Sequence, residues 1–157
     1  SLMSIKLDKI DKHILQVLQR DGKIQNIELA KEVGLSPSPC LRRVRLLEES
    51  GVITRYVAVL DGSKVDAGLS LFARIWFRAQ DAETIEEFVK AIKVLPEVVE
   101  CHLMAGECDA LIRIVTKDLA TYRRFHADYL TQIPSIQSIK TEVPMETVKV
   151  SFALPLQ

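Results

Sequence analysis

The 157-residue chain has little of what would tie it to a stapled, secreted or membrane fold. Its three cysteines, Cys40, Cys101 and Cys108, are odd in number and show no C-x-x-C spacing. That excludes a disulfide framework and a zinc site, and it predicts reduced thiols and a cytoplasmic location. No apolar run approaches the roughly 18–20 residues of a membrane span, and no membrane partner is expected. A signal peptide is missing too: Ser1-Leu2 ahead of Met3 reads as a cloning remnant, with the native start at Met3. Net charge is zero overall but unevenly spread, +3 over residues 1–60 and −3 over 61–157. The basic half is the candidate for contact with a polyanion.

What is present is an ordinary globular mixture, 48% hydrophobic and 27% charged, long enough for one small and one medium domain. Asp8 caps a first helix with Ile10, Ile14, Val17 and Leu18 at helical spacing, stopped by Asp21-Gly22. Asn26 is read as the cap of a short second helix that ends at Gly34, where the left-handed conformation makes a tight turn. A third helix starts at Ser36 with Pro37 in its first position and runs through Leu41, Val44 and Leu47 to Gly51. Three short helices with a Gly turn between the last two spell a helix-turn-helix.

Val52 to Leu60 is rich in β-branched residues and reads as a strand; residues 61–68 then read as a hinge. Leu71, Ala73, Ile75 and Phe77 alternate with Phe72, Arg74, Trp76 and Arg78 along the next strand. Asp81 caps a helix ended by Pro96, and Val98 to Ala105 is a strand. The same order recurs in strand Ala110–Thr116, a cap at Asp118, a helix reaching Ile133 and Pro134, and a strand from Ile136. Two tandem β-α-β units give a ferredoxin-like βαββαβ domain over 69–157, behind a DNA-binding domain over 3–60. Its open sheet face would leave Phe72 and Trp76 bare unless another subunit covers them.

At about 100° per residue, Arg42 falls in the middle of the exposed side of the third helix, flanked by Ser38, Arg45 and Arg43. Guanidinium forks grip phosphates or the O6/N7 edge of guanine, and a helix fits the major groove. An isolated basic helix would simply be solvated; directly after a helix-Gly turn, it reads as a DNA contact. In the segment Gly106-Glu107-Cys108-Asp109, glycine permits close backbone approach and a carboxylate can hold an ammonium group. The same four residues also read as a plain β-turn. Cys101-His102 and Cys108 lack further ligands and are read as core and turn residues, and His13 and His126 as packing or surface residues. The single asparagine, Asn26, lies in the first domain, so the second lacks the residues of an acylphosphatase. With no Gly-rich phosphate loop, nucleophile elbow or metal cluster either, no catalytic residue and no cofactor is expected. The alternative reading is a ferredoxin-like small-molecule enzyme fused to a DNA-targeting module.

The stretch Asn26-Ile27-Glu28-Leu29-Ala30 followed by Val33 to Arg45, together with Glu100 to Gly106 and Asp109, closely resembles the Lrp/AsnC family of transcription regulators. The chain looks closer to the leucine-responsive branch. The resemblance covers Leu7 to Val150. It implies a winged helix-turn-helix on double-stranded DNA, with Ser36, Ser38, Pro39, Arg42, Arg43 and Arg45 as contacts. It also implies homodimers that assemble into an octamer and an amino-acid effector, leucine or methionine first, bound between dimers. The effector residues would be Ala105, Gly106, Glu107, Cys108 and Asp109, with Leu103 and, from a neighbouring subunit, Thr131 as walls. Two positions depart from the family. Glu107 replaces the first Asp of the common Gly-Asp-x-Asp, with Asp109 keeping the second, and Leu46 stands where the leucine-responsive branch is basic.

Overall fold

The computed structural model describes residues 6–157, so Ser1-Leu2 and Met3 lie outside it. The chain forms two compact units, one of residues up to Val59 together with Lys149–Gln157, the other Leu60–Val148. Among the described residues no helix is long and apolar enough to cross a membrane.

The first unit holds α1 (Lys9–Arg20), α2 (Asn26–Val33) and α3 (Pro37–Glu49). Asp8 caps α1 by accepting the Asp11 N–H at 2.8 Å, and the Asp11 carboxylate accepts the Asp8 N–H at 3.2 Å. This reciprocal pair satisfies two of the N–H groups that a helix start leaves without partners. Ile14, Leu15 and Val17 meet Leu29, Ala30 and Val33 of α2 and Cys40 and Leu47 of α3 in one buried cluster. Gly34 turns the chain between α2 and α3 at φ 74°, and the Leu35 N–H closes on the Ala30 carbonyl at 2.9 Å.

Three sequence expectations fail in this unit. Asn26 is the first residue of α2, not its cap; its side-chain amide donates to the Pro37 carbonyl at 2.8 Å and ties α2 to the start of α3. Residues 52–60 form no ladder: β-propensity makes a strand only where a partner strand pairs with it, and none pairs with this segment among the described residues. Finally, Lys149–Gln157 belongs with the helices and not with the ferredoxin-like domain. Leu156 packs against the helical core, and Gln19 and Leu154 are reciprocally bonded, Leu154 N–H to Gln19 Oε1 at 2.6 Å and Gln19 Nε2 to the Leu154 carbonyl at 3.2 Å. Lys12 Nζ also donates to the Gln157 carbonyl.

The second unit holds β1 (Leu69–Phe77), α4 (Ala82–Lys93), β2 (Val98–Leu103), β3 (Ala110–Thr116), α5 (Leu119–Asp128) and β4 (Ile136–Glu142). The residues read as a hinge contribute a short 3-10 turn, Gly62–Lys64, that groups with this unit. Asp81 and Asp118 cap α4 and α5 through Thr84 N–H at 2.7 Å and Thr121 N–H at 2.8 Å. The sheet runs β2-β3-β1-β4, every neighbour antiparallel. One face, Leu71, Ala73, Ile75, Ile112 and Ile114, is fully buried with Phe88 and Ile92 of α4 and Tyr122 and Phe125 of α5. On the other face Phe72, Arg74 and Trp76 are half-buried beside Leu111 and Arg113. There Arg113 Nε donates to Glu100 at 2.6 Å; that guanidinium first, then His102, holds the Glu100 carboxyl below its ordinary range.

Element ends differ slightly from the sequence reading. α5 stops at Asp128 and gives way to a 3-10 turn, Leu130–Gln132, and β2 stops at Leu103. Cys101, expected in the core, lies on the edge strand β2 and is exposed, whereas Cys40 and Cys108 are buried. A strand with a neighbour on only one side buries less of each residue.

Candidate DNA-reading helix and effector cleft

α3 presents its charged side to solvent because Leu47 and Cys40 turn the opposite side into the helical core. Ser36 holds the cap position, and its hydroxyl makes no hydrogen bond among the described residues. Ser38, Arg42 and Arg45 are exposed, Pro39 is half-buried, and neither arginine forms an ion pair among the described residues. Arg43 is different. Its Nη1 lies 2.9 and 2.8 Å from the two carboxylate oxygens of Asp8 and 3.0 Å from Asp11 Oδ1. The pairing raises the guanidinium further above its usual value, while the Asp11 N–H and then Arg43 hold the Asp8 carboxyl below its own. Arg43, placed among the DNA contacts by the sequence, is thus a brace between α3 and the start of α1.

The second candidate site is the turn between β2 and β3. The Met104 N–H bonds the Asp109 carbonyl at 2.9 Å, and Trp76 Nε1 donates to the Glu107 carbonyl at 2.9 Å, so the turn is fastened at two points. Gly106 adopts φ 152°, and no atom approaches the place a Cβ would take; backbone conformation, not crowding, calls for glycine. Asp109 Oδ2 accepts the Phe77 N–H at 2.8 Å.

Two clefts flank this turn. Gly106, Glu107 and Cys108 line one of about 310 Å³, where Arg74 meets Glu142 at 3.4 Å. Asp109 lines the other, about 410 Å³, with Trp76, Phe77, Gln80, Gln137 and Ser138. Gln80, Gln137 and Ser138 escaped the sequence reading, since isolated amides and a hydroxyl carry no periodic signal. Leu103, Ala105 and Thr131 line neither cleft. Thr131 is exposed on the 3-10 turn after α5 and donates to the Ala127 carbonyl at 2.9 Å.

Residues 7–54, spanning the three helices, match the family described as winged helix-turn-helix DNA-binding, and residues 70–154 match the Lrp/AsnC ligand binding domain. The chain belongs to the Lrp/AsnC family. Leucine-responsive regulatory proteins of Escherichia coli (strain K12) and Klebsiella pneumoniae are each 42% identical to it, over 96% of this chain and 92% of theirs. Among solved structures, a Neisseria meningitidis transcriptional regulator in an L-Met complex superposes with a TM-score of 0.92 at 36% identity, covering 96% of this chain and 97% of that one. An AsnC family regulator from Agrobacterium tumefaciens gives 0.89 at 38%, covering 95% and 97%. This Lrp/AsnC member is a DNA-binding transcriptional regulator with a ligand-binding domain of α+β, ferredoxin-like fold. Its relatives are regulators and not enzymes, which removes the alternative of an enzyme fused to a DNA-targeting module.

Proposed function

We propose that the protein is a cytoplasmic amino-acid-responsive regulator that reads double-stranded DNA through Ser36, Ser38, Pro39, Arg42 and Arg45 and binds leucine or methionine beside Asp109. The carrying observation is the 410 Å³ cleft next to the Gly106–Asp109 turn. An amino-acid zwitterion needs an acceptor for its ammonium, donors for its carboxylate and an apolar wall. Asp109 Oδ1 has no partner among the described residues, and a charge-assisted bond to an ammonium is about twice as strong as a neutral one. The side chains of Gln80, Gln137 and Ser138 make no hydrogen bond among the described residues and supply donors, while Trp76 and Phe77 supply apolar surface. Glu107 and Cys108 face the neighbouring cleft and play a smaller part than the sequence suggests.

The names of the relatives point the same way: one set is called leucine-responsive, and one solved neighbour is an L-Met complex. By the family resemblance, the effector sits between dimers of an octamer, walled by Leu103 and, from a neighbouring subunit, by Thr131. Half-buried Phe72 and Trp76 on the uncovered sheet face are the apolar patch on which a dimer forms. Effector and assembly are coupled only as far as the ligand binds one assembled state more tightly than another. Calorimetric titration of all twenty amino acids into the full-length protein tests the reading: saturable heat with leucine or methionine supports it, and silence with all twenty refutes it.

A further inference from the structure

α3 carries one large apolar side chain that the fold leaves unused. Leu46 is 52% exposed, whereas Leu47 beside it is 1% exposed in the helical core. A single exposed leucine ordinarily needs no explanation; this one stands in a row. Ser38, Arg42 and Leu46 follow one another at four-residue steps along the solvent side of α3, about 6 Å apart along the axis. All three are exposed, and Arg42 has no ion pair among the described residues.

Stacked base pairs are about 3.4 Å apart, so one step of the row spans roughly two of them when the helix follows the groove. The row offers three chemistries, each with its own counterpart on the major-groove edge. A hydroxyl accepts or donates, a guanidinium forks onto guanine O6 and N7, and an aliphatic group packs on the C5-methyl of thymine. Leu46 has no charge for a phosphate and no polar atom for a base. The thymine methyl is the apolar feature of the groove that remains.

We infer that Leu46 is a specificity residue that packs on a thymine methyl about two base pairs from a guanine gripped by Arg42. The inference rests on α3 being the helix that enters the groove. Packing there removes apolar area of both partners from water, and a cytosine or purine at that position sets a polar edge against the leucine side chain. Arg45, to one side of the row, is then left for the phosphate backbone.

The test begins with selection of bound duplexes from a randomised pool by the full-length protein. Each thymine of the selected site is then replaced in turn by uracil, which lacks only the 5-methyl group. At one position this substitution weakens wild-type binding about fourfold, the worth of one methyl withdrawn from water, and Leu46→Ala binds the thymine and uracil duplexes equally. Wild-type affinity indifferent to uracil at every position overturns the assignment, as does a Leu46→Ala protein that keeps the full discrimination. Arg42→Ala separates the two levels. If it binds the selected site as tightly as wild type, the groove reading of α3 fails; if it binds weakly while uracil has no effect, only the role of Leu46 fails.

Discussion

Asp109 holds Phe77 from across the sheet: its Oδ2 accepts the Phe77 N–H at 2.8 Å, beside the register shift between Trp76 and Phe77. The Asp109 N–H in turn donates to the Ile75 carbonyl at 2.9 Å. The β1–β3 ladder ends at the Ile75–Ala110 pair, which leaves the Phe77 N–H beyond it, and here a side chain meets it. One carboxylate oxygen thus serves the fold, and the other has no partner among the described residues.

That division gives a clean pair of variants. Asp109→Asn keeps an acceptor for Phe77 and removes the charge, so the domain stays folded while leucine or methionine binds roughly 10–100 times more weakly, the worth of a hydrogen bond to a charged group. Asp109→Ala loses both functions and lowers the melting temperature as well. Calorimetry beside thermal melting checks the split; effector affinity unchanged in Asp109→Asn would remove the carboxylate from the site.

The three arginines of α3 separate in a similar way. Arg42→Ala and Arg45→Ala should weaken operator binding, by about 1–3 kcal/mol where the side chain reads a base, and leave stability near wild type. Arg43→Ala should do the reverse, lowering the melting temperature with a smaller effect on DNA, because its partners are Asp8 and Asp11. Fluorescence anisotropy with labelled operator, run beside thermal melts, reports both quantities. An Arg43→Ala protein of unchanged stability and lost DNA affinity would return Arg43 to the DNA-binding face.

The same brace sets a pH dependence. The Asp8 carboxyl is held low in the folded state by the Asp11 N–H and by Arg43, so folding favours its ionised form. The stability it adds is complete above the ordinary aspartate value of about 4 and is lost as pH falls through the depressed one. Melting temperature should therefore fall more steeply below about pH 4 in wild type than in Asp8→Asn. Parallel curves for the two proteins between pH 5 and pH 2.5 would count against the pairing.

The subunit contact proposed for the uncovered sheet face makes Trp76 a sensitive position. Trp76→Glu places a charge where an aromatic ring is half-buried and should shift the protein to smaller species in sedimentation velocity. A wild type already monomeric at micromolar concentration would show that the face needs no cover.

The parts of this fold written in local sequence were readable. Asp8, Asp81 and Asp118 cap their helices through neighbours three residues away, and the alternation of Leu71 to Phe77 with its flanking residues marks the two faces of β1. What local pattern could not disclose depends on distant partners. Arg43 meets Asp8 across 35 residues, and Gln19 meets Leu154 across 135. Residues 52–60 have the composition of a strand but pair with no strand among the described residues, and composition cannot register that lack. The candidate effector turn was legible through Gly106 and Asp109, whereas Gln80, Gln137 and Ser138 join it only once β1 and β4 lie side by side.

Leu156 and Leu154 complete a unit whose helices were made long before them. A ribosome that has released α1, α2 and α3 must still add Leu60 to Val148, several seconds or more of synthesis at about 5–20 residues per second, before the segment that docks on α1 exists. During that interval the nascent helices carry an uncovered apolar strip around Leu7, Leu15 and Leu18, where the late segment will settle. The part of the protein that reads DNA is therefore started before the ligand-binding unit and finished after it, and a nascent chain arrested before Lys149 presents it incomplete.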